Sequence, residues 1–188
     1  MDAKTMKKHT AAQKRLFQNA TLIVATRLVF NVLSEKYQPQ YMLRNWQRLL
    51  DLSRVHADAK PTHIIWPEAA PPFVLTSEPI ALMQIGDLVS NGVTLLTGAV
   101  RVERNPTGGR SIYNSFYVFA PNGMLVATYD KFHLVPFGEY LPLQKTMDAL
   151  GITKITGGMG GFDAGDGPHT LVIPHAPPAS PLICYEII

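Results

Sequence analysis

Three groups far apart in the sequence can do chemistry together: a carboxylate at Glu68, an amine at Lys131 and a thiol at Cys184, the one cysteine of the chain. Each follows a short apolar run. Glu68 comes after Ile64-Ile65-Trp66-Pro67, Lys131 after a strand-like stretch ending in Tyr129-Asp130, and Cys184 after Pro181-Leu182-Ile183. An acid, an ammonium and a thiol at three strand ends can converge on one sheet edge, and together they suit acyl transfer through a thioester. A thiol is mostly protonated at neutral pH and needs a base nearby, a task open to Glu68. Lys131 can place positive charge where an acyl oxyanion develops. Taken singly, the same residues have plainer readings. With Leu182, Ile183 and Ile187 around it, Cys184 reads as a small core hydrophobe on a buried strand. Glu68 and Glu139 read as loop or cap acids, and Lys131 as a solvated lysine.

The elements that must position these groups follow from periodicity and breakers. The spacing predicts an amphipathic helix over 38–59, with Met42, Trp46, Leu49 and Leu50 on one face and Arg44, Arg48, Asp51 and Arg54 on the other. Residues 63–66 read as a short buried strand stopped by Pro67. A second helix is expected over 79–90, opened by Pro79 and closed by Asn91-Gly92. Strands are expected over 93–102, 111–120 and 124–129. Pro121-Asn122-Gly123 joins the last two, because Asn-Gly readily supplies positive φ. A short strand is expected over 170–173 and another at the cysteine. Residues 130–168 read as loop, its glycine-rich part (157–167) suited to a mobile lid. This order of elements predicts an α/β or layered α+β domain.

Composition narrows the class. A chain of 188 residues that is 46% hydrophobic and 16% charged is globular, with room for one domain. A net charge of +3 suits an anionic lipid surface or nucleic acid and compels neither. One cysteine excludes an internal disulfide framework and argues against a cysteine-based zinc site, and the six histidines are scattered, so neither a metal nor a cofactor is expected. No G-x-S-x-G elbow, H-E-x-x-H helix or P-loop occurs, and no concentrated basic face suggests nucleic acid as a partner. Residues 1–20 read as a basic lead, poorly ordered or helical, and 21–188 as the domain. The apolar run 22–33 is shorter than the roughly 20 residues a spanning helix needs and carries Arg27 and Asn31. It reads as a buried strand or short helix, with a signal-like segment as the alternative.

Four stretches carry a resemblance. They are Ile64-Ile65-Trp66-Pro67-Glu68-Ala69, Tyr113-Asn114-Ser115, the long run from Tyr129 through Lys131-Phe132-His133-Leu134-Val135-Pro136-Phe137-Gly138-Glu139-Tyr140 to Pro142, and Ile183-Cys184-Tyr185-Glu186. In this order they resemble the nitrilase (carbon-nitrogen hydrolase) superfamily. Within it they are similar to the extracytoplasmic domain of the apolipoprotein N-acyltransferase family, over about residues 38–188. The resemblance implies a layered α-β-β-α nitrilase-like sandwich and a Glu-Lys-Cys triad. Glu68 would be the general base, Lys131 the stabiliser of the tetrahedral intermediate and Cys184 the nucleophile. Glu139, Tyr185 and Glu186 would support them. It implies a phospholipid acyl donor, an apolipoprotein acceptor and the extracytoplasmic face of a bacterial inner membrane. Phe132, Leu134, Phe137 and Tyr140, with Val135 and Leu141, would then form an apolar lip for lipid access.

The pattern also departs from that family. Spanning helices flank the domain in the family but not here, residues 27–37 replace its usual first-strand ending, and the chain stops four residues after Cys184. The expectation is a partial domain, incomplete at its C-terminus, with little activity by itself. Two other readings stay open: a soluble amidase with the same triad, and a non-catalytic membrane-surface or partner-binding module.

Overall fold

The computed structural model describes residues 22–24, 37–54, 61–106, 108–140 and 161–187. Five strands form one sheet in the order β1-β2-β3-β4-β5. They are β1 (Leu22–Val24), β2 (His63–Trp66), β3 (Thr94–Arg104), β4 (Arg110–Phe119) and β5 (Leu125–Asp130). Helix α1 (Pro39–Arg54) lies in sequence between β1 and β2, and α2 (Pro79–Val89) between β2 and β3. Strands joined through helices run parallel, and those joined by tight turns run antiparallel. The α/β class is therefore as expected. Of the four layers of an α-β-β-α sandwich, the described residues contain one helical layer and one sheet. None of their helices is long and apolar enough to cross a membrane.

The helices cover one face of the sheet. Trp46, Leu49 and Leu50 of α1 and Ile85, Leu88 and Val89 of α2 pack on Ile64, Trp66, Leu95, Tyr117 and Phe119. Two of the interior polar groups pair in sequence. The Trp66 indole donates to Ser53 Oγ at 2.8 Å, and Ser53 donates to the Leu49 carbonyl at 2.8 Å. This chain of bonds fixes α1 against β2. Burying either group unpaired would cost on the order of 1–3 kcal/mol.

The opposite face is covered by irregular chain. Leu171, Ile173 and Ile183 pack on Leu96, Val118 and Tyr129. Two expected strands are corrected here. Residues 170–173 contribute only an isolated bridge, Leu171 to Ala179. Cys184 lies on no strand: it begins a 3₁₀ turn, Cys184–Ile187. Pro174, Pro177, Pro178 and Pro181 lack the N–H a ladder needs. The glycine-rich segment is also corrected. Residues 161–167 dock on the sheet rather than hanging free as a lid, with Asp163 N–H on the Ile112 carbonyl at 2.7 Å and Gly165 N–H on the Lys131 carbonyl at 3.0 Å. A side chain on Gly165 would overlap the Asp130 carbonyl. Residues 157–160, Leu141, the basic lead 1–20 and positions 25–33 of the first apolar run lie outside the described residues.

Topology brings the chemistry to one end of the sheet. Because β2 and β5 point the same way, Glu68, two residues beyond β2, and Lys131, one beyond β5, leave the same edge. The chain turns there across Gly98 of β3. Ala70 N–H donates to the Gly98 carbonyl at 3.0 Å, and a Cβ on Gly98 would lie 2.6 Å from Glu68 Cα and 2.8 Å from Ala69 N. Only glycine permits that crossing. Gly98→Ala is expected to cost about 1–3 kcal/mol and to displace Glu68. Urea unfolding checks the first, and an unchanged midpoint would contradict it.

Candidate active site

Lys131 is an ammonium at 1% exposure, among the largest fully buried side chains. Such a charge must be paired. Its Nζ lies 3.0 and 2.8 Å from the two carboxylate oxygens of Glu139. Glu139 is brought back to Lys131 by a tight loop. Its N–H donates to the Val135 carbonyl at 2.8 Å, and its Oε2 accepts from Val135 N–H at 2.9 Å. Burial pushes the Glu139 carboxyl up. The hydrogen bonds from Lys131, Val135 and Asn114, with the Lys131 charge, outweigh it and hold the group below the usual carboxylate range.

Asn114 on β4 joins this pair to the third group. Its Nδ2 donates to Glu68 Oε1 at 2.6 Å and to Glu139 Oε1 at 3.1 Å. Its backbone carbonyl accepts from Lys131 N–H at 2.8 Å. Glu68 itself is exposed. The residue after it, Ala69, has φ of +46°. Non-glycine residues seldom occupy this region, and those that do cluster at functional sites.

Cys184 is exposed, with φ of +53°. Among the described residues it makes no hydrogen bond to Glu68 or Lys131. Its turn is tied to Lys131's surroundings by Glu186, which is 8% exposed. One oxygen of Glu186 accepts from Tyr129 Oη at 2.9 Å, Phe132 N–H at 2.8 Å and His133 N–H at 3.2 Å. The other accepts from Ile183 N–H at 2.8 Å. Burial first, then the hydrogen bond to Glu186 and its charge, push the Tyr129 phenol far above its ordinary value, so it stays a donor. Tyr185 is 55% exposed.

Of the apolar 132–140 stretch, Phe132 packs against the core of the second face. Leu134 and Tyr140 are half-buried, and Phe137, at φ +63°, is exposed. Behind the site, Asp130 takes both a bidentate pair from Arg101, at 3.0 and 2.6 Å, and a short hydrogen bond from Ser115. This clamps the backbone one residue before Lys131.

A family model described as carbon-nitrogen hydrolase matches residues 37–188. The chain belongs to the carbon-nitrogen hydrolase family. Its sequence is 45% identical over 150 residues to an apolipoprotein N-acyltransferase of Rhodopseudomonas palustris, covering 76% of this chain and 28% of that protein. It is 50% identical over 129 residues to one of Bradyrhizobium diazoefficiens (68% and 24% covered) and 46% identical over 130 residues to one of Brucella suis (69% and 24%). The chain thus spans about a quarter of the length of the curated relatives it matches. Among solved structures, an amidase from Nesterenkonia sp. is similar at a TM-score of 0.46 and 18% identity, over 76% of this chain and 50% of that one. That is a distant likeness, and membership of this carbon-nitrogen hydrolase family rests on the sequence match.

The depressed Glu139 carboxyl gives a signed expectation. Its unfolded-state value is near the ordinary 4.5, and the folded value lies lower. The ion pair's contribution to stability is therefore complete above about pH 4.5 and is lost as pH falls through the folded value. Melting temperature is expected to fall below that pH, and Glu139→Gln to flatten this part of the profile. A variant with the wild-type slope would contradict the assignment.

Proposed function

We propose that this chain carries the chemistry of an N-acyltransferase of lipoprotein maturation, with Cys184 as nucleophile, Glu68 as general base and Lys131 as the cation facing the oxyanion. The observation that carries this reading is the buried Lys131–Glu139 pair joined through one Asn114 amide to Glu68, at the sheet edge that Glu186 links to the cysteine turn. The names of the relatives, at 45–50% identity, supply the substrate class.

The reaction then has two halves. In the first, Cys184 Sγ attacks the ester carbonyl of a phospholipid, and its proton passes to Glu68. The acyl carbon–oxygen bond breaks, and the proton goes to the leaving alcohol oxygen of the lysophospholipid. In the second, the free α-amine of a diacylglyceryl-cysteine at the apolipoprotein N-terminus attacks the thioester. A carbon–nitrogen bond forms and the carbon–sulfur bond breaks. The amine proton passes through Glu68 back to sulfur. Lys131 stabilises the oxyanion in both halves. Phe137, exposed two residues before Glu139, would meet the acyl chain at a membrane surface, on this reading the extracytoplasmic one.

Incubation with vesicles of phosphatidylethanolamine and phosphatidylglycerol, followed by intact mass, tests the first half. A slowly accumulating single fatty-acyl adduct is expected on the wild-type protein, in keeping with little turnover by a partial domain, and none on Cys184→Ser. Adding a peptide with an N-terminal S-diacylglyceryl-cysteine should move the acyl group to its amine. Discharge to water alone would favour an amidase-like hydrolase, and absence of the adduct would overturn the reading.

A further inference from the structure

Asn114 has no part in the triad, yet its amide bridges the Glu68 and Glu139 carboxylates and its carbonyl accepts from Lys131 N–H. It is 5% exposed, and its Nδ2 serves two carboxylates at once. Its Oδ1 is buried with no hydrogen-bond partner. An orphaned acceptor costs on the order of 1–3 kcal/mol, so the donor contacts must outweigh it. The two carboxylates also fix which way the amide faces. The reverse orientation would set a carbonyl oxygen against both of them. Among the described residues, the bond from Asn114 is the only side-chain hydrogen bond Glu68 makes, whereas Glu139 is held by Lys131 and Val135 as well.

We propose that Asn114 is a positioning residue whose one amide is shared by two carboxylates: it tethers exposed Glu68 to the Glu139 of the Lys131–Glu139 pair, where Glu68 can take the thiol proton. The inference rests on the function proposed above and adds a residue to it. Without the amide, Glu139 keeps Lys131, while Glu68 is repelled by Glu139 and turns to water.

Single-turnover acylation of Cys184 by p-nitrophenyl butyrate, read by nitrophenol release and intact mass across pH, tests this on the whole chain. General bases contribute roughly 10²–10⁴-fold. Glu68→Gln should therefore slow acylation by about 100-fold or more, and Asn114→Ala by about tenfold or more. The double variant should be no slower than Glu68→Gln alone, because Asn114 acts only through Glu68. Asn114→Ser, which keeps a donor, should recover part of the rate. If Glu68→Gln is slow and a folded Asn114→Ala matches wild type, the positioning role is wrong while the triad stands. If Glu68→Gln matches wild type, the triad reading itself fails. A measurement on the unaltered protein stands apart from variant folding. The Asn114 side-chain amide protons should be protected from exchange and shifted downfield by their two carboxylate bonds. Rapidly exchanging amide protons at an unshifted position would overturn the tether.

Discussion

An ammonium held at 1% exposure is the constraint from which the rest of this sheet edge follows. Lys131 gives up nearly all its hydration and must recover it from fixed partners. Glu139 provides the counter-charge, and the 135–140 loop is folded so that its carboxylate reaches back to Val135 N–H as well as Lys131. The backbone before Lys131 is clamped through Asp130 by Arg101 and Ser115, and the backbone after it by Glu186. A buried pair of this kind is weak evidence for stability, since two packed apolar groups often serve as well. Its value here is placement: a positive charge fixed in a site of low dielectric, where its field is strongest.

Glu186 extends that placement to the cysteine turn. A single carboxylate accepts from the backbone on both sides of the site, at Ile183 and at Phe132 and His133. It holds Cys184 in a left-handed turn that a β-carbon disfavours. The thiol is thereby presented to solvent, while Ile183 just before it stays in the core. Anchoring on one side and exposure on the other let a short turn present the thiol to solvent.

What the sequence disclosed depended on how local the signal was. The helix carrying Trp46, Leu49 and Leu50, the buried run His63–Trp66 and the turn at Gly123 are short-range patterns, and they lie where periodicity and breakers put them. The apolar run before Cys184 misled because burial and strand are different things. Ile183 is buried by lying on a sheet, not by pairing in one, and the prolines upstream removed the donors pairing would need. Lys131 and Glu68 were visible as strand-end residues, but a lysine's burial was not, because it arises from Glu139 folding back over it. Asn114 drew attention only as part of a motif. Its importance comes from strand register, which sets it opposite Val100 and beside Lys131, and from contacts 46 and 25 residues away. A polar residue on a mixed strand carries no period that would reveal such a task.

Under the proposed function, the geometry also bears on which acid would serve as the base. Two carboxylates stand at one amide, and their surroundings part them. Glu139 has its oxygens engaged by Lys131, Val135 and Asn114, and its carboxyl is held below the usual range, so taking a proton would mean giving up an ion pair in a buried site. Among the described residues Glu68 keeps one side-chain bond, sits in the open and follows a backbone crossing that only Gly98 allows. A proton carrier must gain and lose its proton within one turnover, so it needs lone pairs that are not all engaged. Among the described residues Glu68 meets that need better than Glu139. The same contrast sets the buried acid, enclosed by its own loop, apart from the exposed one, bound by a neighbour's amide.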